Sequence, residues 1–279
     1  MVLFPVLRIG LLCALMNCAS LYAAAEDRYG CATPVRLAFY PHPILYEDGK
    51  GMDVDVATEL ARRSGCRFEV SVRPRAQIWQ DIESGEVDLT MSGVASPDRL
   101  RLAYFIPYLY LRERLIVPLE QSMDLHDLND FRARPGVRLG VISGYRHGTY
   151  LDAILRIMAA DGQLREYPDE RGSFAALQKG EVNGLIGHAL VLSTVLSDPA
   201  MRHRYRVIEL NAPGVARGLV LSRRHFSAAQ SAEWLRLLED LRLDGGLSRI
   251  LLRNAPLDIA ASLLDNGYRA PAGDLDKQP

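Results

Sequence analysis

The stretch GMDVDVATELARRSGCRFEVSVRPRAQIWQDIESGEVDLTMSG, residues 51–93, decides the fold class. In its first part Val56, Ala57, Leu60 and Ala61 recur at the spacing that puts them on one face of a helix, predicted over 53–63. Asp53 is placed to cap its start and Gly65 to end it. Residues 68–72 read as a strand, a helix runs from about 78 to 83 and closes at Ser84-Gly85, and a strand over 87–91 leads into Ser92-Gly93. Upstream, 35–39 supplies an earlier strand. Strands alternating with helices across short connections give an α/β chain, with a parallel sheet and helices on its faces.

Working outward, the rhythm restarts. Residues 115–118 and 137–142 read as strands, 149–158 and 174–178 as helices, and 182–186 as a strand after the turn Lys179-Gly180-Glu181. The phrases IESGEVDLTMSG (82–93) and LQKGEVNGLIGH (177–188) echo one another, each placing a helix end, a glycine turn and a strand in the same order. The chain therefore reads as two lobes of similar build. Residues 218–221 are strand-like, and 228–240 form an amphipathic helix carrying Trp234, Leu235, Leu237 and Leu238. Gly245-Gly246 breaks it before a shorter helix through Ile250 and Leu252, and the tail at 269–279 has no hydrophobic face.

The first residues have a different logic. One cation, Arg8, precedes an apolar run over 9–21, and Tyr22-Ala23-Ala24-Ala25 leads into Glu26-Asp27. The run is too short to span a bilayer and Ala23 and Ala25 fit a small-x-small cleavage pattern, so residues 1–25 are expected to be a signal peptide cut after Ala25. An uncleaved anchor or a lipidated Cys18 fits less well. Of four cysteines, Cys31 and Cys66 would survive cleavage. Each precedes a strand, and parallel neighbours would bring both sulfurs to one end of the sheet as a disulfide; two small buried thiols are the alternative. With 33 Lys+Arg against 34 Asp+Glu, the net charge of −1 argues against a nucleic acid or an anionic membrane as partner.

GMDVDVATELARRSG (51–65), IESGEVDLTMSGVASPDRLRLAYFIPYLY (82–110), RLGVISGYRHGTYLD (138–152) and LRLDGGLSRIL (241–251) together resemble the bacterial extracellular solute-binding proteins of family 3. The most specific signal is the run over 85–108, Gly-x-Val-Asp, then Ser-Pro-x-Arg, then an aromatic before Pro-Tyr. The resemblance implies two Rossmann-like lobes joined by two hinge strands, closing on a solute like a Venus flytrap. Lobe I would comprise 26–118 and, on the chain's return, 216–268, with lobe II at 119–215. It also implies a periplasmic monomer that delivers its solute to an ABC-type permease in the inner membrane, with no cofactor and no metal.

Arg99 occupies the position of the family's carboxylate-clamping arginine, and a guanidinium offers paired planar donors that stay charged. Arg101 and Arg112 read as ordinary exposed arginines. Ser92 and Gly93 end a strand at its C-terminal edge, where open α/β sheets bind ligands, one offering a hydroxyl and the other room for main-chain N–H groups. Val94 stands where the family often has a hydroxyl, leaving only its amide. Gly144, Tyr145 and Arg146 open a helix after a strand, and their N–H groups suit an anion. Arg146 lies near the family's threonine and is either a second cation for the solute or a solvated loop residue. Tyr40 is an aromatic wall or a packing residue.

The departure that matters most is His188, where amino-acid binders of the family carry an acid for the ligand ammonium. Imidazole supplies no negative charge, and Asn183 removes another acid where the echoing phrase has Asp88. A dicarboxylate, keto acid or other organic acid is therefore expected rather than an ordinary amino acid. Three histidines, His42, His147 and His188, fall at strand-end loops without the tight spacing of metal ligands. Two alternatives share the scaffold: a cyclohexadienyl dehydratase-like enzyme, which needs a cleft acid, and a free-standing receptor for a sensor kinase. A serine hydrolase is disfavoured because the chain lacks a G-x-S-x-G elbow.

Overall fold

The computed structural model describes residues 27–196 and 198–264; the expected signal peptide and the tail at 269–279 lie outside the described residues. Strand β1 (Val35–Phe39) is flanked in parallel by β2 (Phe68–Val72) and β3 (Leu89–Gly93), with helices α1 (Met52–Ser64) and α2 (Arg75–Ser84) as crossovers. Strand β4 (Ala103–Leu111) lies at the far edge. Strand β5 (Glu113–Pro118) already belongs to a second sheet, where it pairs antiparallel with later strands. The chain therefore passes between sheets at Arg112, earlier than the expected 118, because Leu115, Ile116 and Val117 find their burial in the second core.

The second sheet repeats the first. Strand β6 (Leu139–Ile142) runs parallel to β7 (Leu164–Tyr167) and β8 (Gly184–His188), joined by α5 (Thr149–Ala160) and α6 (Glu170–Gln178). A short α4 (Leu128–Ala133) precedes β6, and α3 (Pro97–Leu100) follows β3. After helices α7 (Ala189–Val195) and α8 (Pro199–Arg202), strand β9 (Tyr205–Glu209) closes the edge, and β10 (Val215–Ser222) returns to the first sheet between β3 and β4, antiparallel to both. The five-stranded orders β2-β1-β3-β10-β4 and β7-β6-β8-β5-β9 are topologically equivalent. The echoing phrases end at equivalent places, the C-terminal tips of the central strands β3 and β8. Parallel strands buried on both faces read as continuous apolar runs, which is why both were legible.

Helices α9 (Ala228–Leu243), α10 (Gly246–Asn254) and α11 (Leu257–Leu264) complete the first lobe, with Trp234, Leu238 and Leu241 in its core. Ser227 caps α9 with a full capping box through Gln230. At α1 the expected cap is absent. The N-cap is Gly51 with no side-chain bond, and Asp53 instead turns inward. Cys31 and Cys66 form the disulfide, with Cα atoms 5.5 Å apart beside the paired starts of β1 and β2. Closing a loop with a sequence separation of 35 adds on the order of 4 kcal/mol by the chain-entropy account. No helix among the described residues is long and apolar enough to cross a membrane.

Candidate functional site

The C-terminal tips of β1, β3, β6 and β8 face one another across the seam between the lobes, and most of the singled-out side chains meet there. Arg99, in α3, is 4% exposed. Its guanidinium lies 3.9 Å over the Trp79 ring, donates to Val94 O at 3.3 Å, and crosses the seam to donate to Gly144 O at 2.5 Å. Burial, with Arg75 and Arg146 nearby, pushes its pKa down to about 8, still protonated at neutral pH. Gly144 is at the seam because it must be: its φ is +78°, and a Cβ would come 2.8 Å from the Ala76 main chain at the start of α2.

Ser92 has left-handed backbone geometry, φ 49°. Its hydroxyl donates to Asp53 at 2.8 Å and lies 3.0 Å from Tyr108 Oη, which donates to the same carboxylate at 2.6 Å. Burial raises Asp53 to about 6 against those two hydrogen bonds. Both hydroxyls are thus engaged within the lobe. Gly93 packs under Val220, where any side chain would clash, so the close approach it permits is that of β10. Val94 is buried and gives its carbonyl to Arg99. The wall at Tyr40 is 3% exposed, meets Tyr145 edge to face at 5.8 Å, and carries the Arg75 guanidinium 4.1 Å over its ring. Burial pushes its hydroxyl up to about 12. Arg146, half-exposed, pairs across the seam with Asp98 at 3.2 Å, beside an open groove of about 590 Å³. Arg101 and Arg112 are exposed.

His188, 2% exposed, stacks on His42 of the other lobe with centroids 5.3 Å apart and planes 9° from parallel. Neither of its ring nitrogens has a hydrogen-bond partner, and burial with Arg217 nearby drives its pKa well below the usual imidazole value, leaving it neutral. The sequence reading missed two acids here. Glu113, opposite His188 in the β5–β8 ladder, accepts from Arg217 at 2.6 Å and lies 3.3 Å from His147. Burial would raise it, but His147 and Arg217 hold it far below the usual carboxylate range. Glu170, first residue of α6, accepts from Tyr145 at 2.6 Å and lies 3.5 Å from His42. A cavity of about 20 Å³, room for one water-sized sphere, adjoins Glu113, Tyr145, His147, Glu170, Ser173 and His188. His147 thus turns to Glu113 rather than joining the His42–His188 stack, and no group of three or more His, Cys, Asp or Glu is arranged to hold a metal among the described residues.

The missed residues had a signal. Asp169-Glu170 and Arg73-Pro74-Arg75 each stand at a strand-to-helix junction, the edge at which α/β sheets bind ligands. Glu113 lies at the crossing between sheets, which the sequence reading puts near 118, beyond it.

Comparison with known proteins agrees with this architecture. The arginine-binding extracellular protein ArtP of Bacillus subtilis is 30% identical over 105 residues, 36% of this chain and 41% of that protein, so the match spans about two fifths of its length. The ArtJ protein of Geobacillus stearothermophilus, described as arginine-, lysine- and histidine-binding, superposes with TM-score 0.66 at 17% identity, covering 88% of this chain and all of that one. The glutamate-bound GluR0 core of Nostoc punctiforme gives TM-score 0.66 at 14% identity, over 79% and 99% of the two chains. An ancestral amino-acid-binding precursor of cyclohexadienyl dehydratase gives 0.65 at 17%, over 79% and 95%. At these identities the structures share a fold, the two-lobed type II periplasmic-binding architecture. The family match itself runs over residues 35–250. The chain belongs to the bacterial extracellular solute-binding proteins, family 3.

Proposed function

We propose that this protein captures a small carboxylate-bearing solute, an amino acid or organic acid, between its lobes in the periplasm and presents it to an ABC-type permease without transforming it. The observation that carries the reading is Arg99, a buried guanidinium at the seam whose hydrogen bonds, among the described residues, go to the main-chain carbonyls of Val94 and Gly144. Burying a cation without a counter-charge costs several kcal/mol, and a solute carboxylate recovers that cost with paired, charge-assisted hydrogen bonds. Its contact with Gly144 O spans the lobes, so exchanging that carbonyl for a solute couples binding to hinge motion. The solute enters when the lobes part, because Arg99, Trp79, Tyr40 and Tyr145 are otherwise packed on one another.

Relatives described as binding arginine or glutamate set the expectation of an amino acid, and the neutral His188 argues for a solute without an ordinary α-ammonium. A thermal-shift screen of amino acids and organic acids decides between them. A true ligand at a hundredfold above its dissociation constant adds about 2.7 kcal/mol of stability. The reading predicts hits among carboxylates; a panel in which none shifts the transition would overturn it. The dehydratase alternative has one favourable observation, the buried acid Glu170 beside the phenol of Tyr145. Loss of prephenate or arogenate on incubation with the purified protein would establish it.

A further inference from the structure

We propose that Arg75 is a second ligand-binding residue and that the solute is a dicarboxylate without an ammonium group, a reading that rests on the carboxylate capture argued above. Arg75 begins α2, where a cation opposes the positive end of the helix dipole. It is also 4% exposed. Two unfavourable placements at one position mark a residue kept for something other than stability. Its guanidinium stands over Tyr40 at 4.1 Å and over Trp79 at 5.7 Å, the indole that also carries Arg99, so the two cations share one aromatic wall.

Both arginines have donors to spare. Arg75 gives two bonds, to Met91 O at 3.2 Å and Ser92 O at 3.0 Å, and Arg99 gives two, to Val94 O and Gly144 O. Each guanidinium has five N–H groups. Most of the acceptors are already engaged. A solute ammonium needs carbonyls or carboxylates, but Arg75 already holds both carbonyls at the tip of β3. Glu113 holds Arg217 through Oε1 while its Oε2 is buried with no hydrogen-bond partner, Glu170 accepts from Tyr145, and Asp53 is enclosed by Ser92 and Tyr108. Of the buried arginines 75, 99 and 217, only Arg217 touches an acid as an ion pair among the described residues, and that acid is Glu113. The seam therefore offers two cations whose direct partners are neutral, and a molecule with a carboxylate at each end answers both.

The test is calorimetric titration of the purified protein with unbranched diacids from malonate to adipate, their monomethyl esters, and glutamate. One diacid should bind about 100-fold tighter than its half-ester, the scale of removing one partner from a desolvated charge pair. Glutamate should bind no tighter than glutarate. In Arg75→Gln the diacid should fall to within about threefold of the half-ester, whose own affinity is unchanged, and Arg75→Lys should lie between. Diacid and half-ester binding equally to the unaltered protein would overturn the proposal, and that comparison stands even if Arg75→Gln fails to fold. Equal weakening of both compounds in Arg75→Gln would overturn it too. Monocarboxylates that bind through Arg99 while diacids gain nothing would sink this proposal alone; a protein that binds no carboxylate would sink the reading beneath it as well.

Discussion

Asp53 shows at the scale of one residue how tertiary packing displaces local rules. Its sequence position suits a helix cap, yet it lies behind Ser92 and Tyr108 at 1% exposure with its pKa raised to about 6. A carboxyl whose folded pKa exceeds its unfolded value contributes stability that is full below the unfolded pKa and lost as pH rises through the folded one. The window is therefore about pH 4 to 6, and a shift near two units is worth about 3 kcal/mol. Asp53→Asn should flatten the pH dependence of unfolding in that window, measured by urea titration. An identical pH slope in the variant would show that Asp53 does not titrate there. The misread cap was not recoverable from sequence, because nothing local to 51–65 records that the Ser92 and Tyr108 hydroxyls will arrive beside it.

Among elements, the parts legible in sequence were those whose burial is local and periodic. Strands β1, β3, β6 and β8 are legible as largely apolar, buried runs and β2 as an alternating, mostly exposed edge, and the two glycine-turn phrases imply equivalent lobes, as found. Strands β4 and β9 did not stand out. Polar or aromatic residues interrupt both, and each is defined by antiparallel partners far away in sequence, Val215–Ser222 for one and Glu113–Pro118 for the other. The site divided in the same way. Arg99 was visible in a motif, whereas Arg75, Glu113 and Glu170 emerge only when junctions from different crossovers meet. The loop at 143–148 carries a prediction of its own. Gly144 combines φ +78° with a close approach to Ala76, so Gly144→Ala should weaken solute binding about tenfold by opposing closure, with strain of about 1–2 kcal/mol. Unchanged affinity in calorimetry would mean that this contact does not limit closing.

The whole molecule is organised around a seam where stability has been given up. Two sheets of equal topology are each well packed, but between them lie unpaired guanidiniums, a histidine stack with unsatisfied nitrogens, and acids held by the opposite lobe or the crossing strands. A binding protein needs that imbalance, since the solute must supply what the closed, solute-free state lacks. Arg99 is the clearest case, and its replacement by glutamine should leave the solute-free protein at least as stable because an unpaired buried cation is removed. The decisive measurement is calorimetric titration of the tightest carboxylate found in the screen against Arg99→Gln, with thermal unfolding of the same sample as control. We expect affinity to fall about 100-fold or more with no loss of unfolding temperature; an unaltered dissociation constant in a folded variant would contradict the assignment of the seam as the solute site.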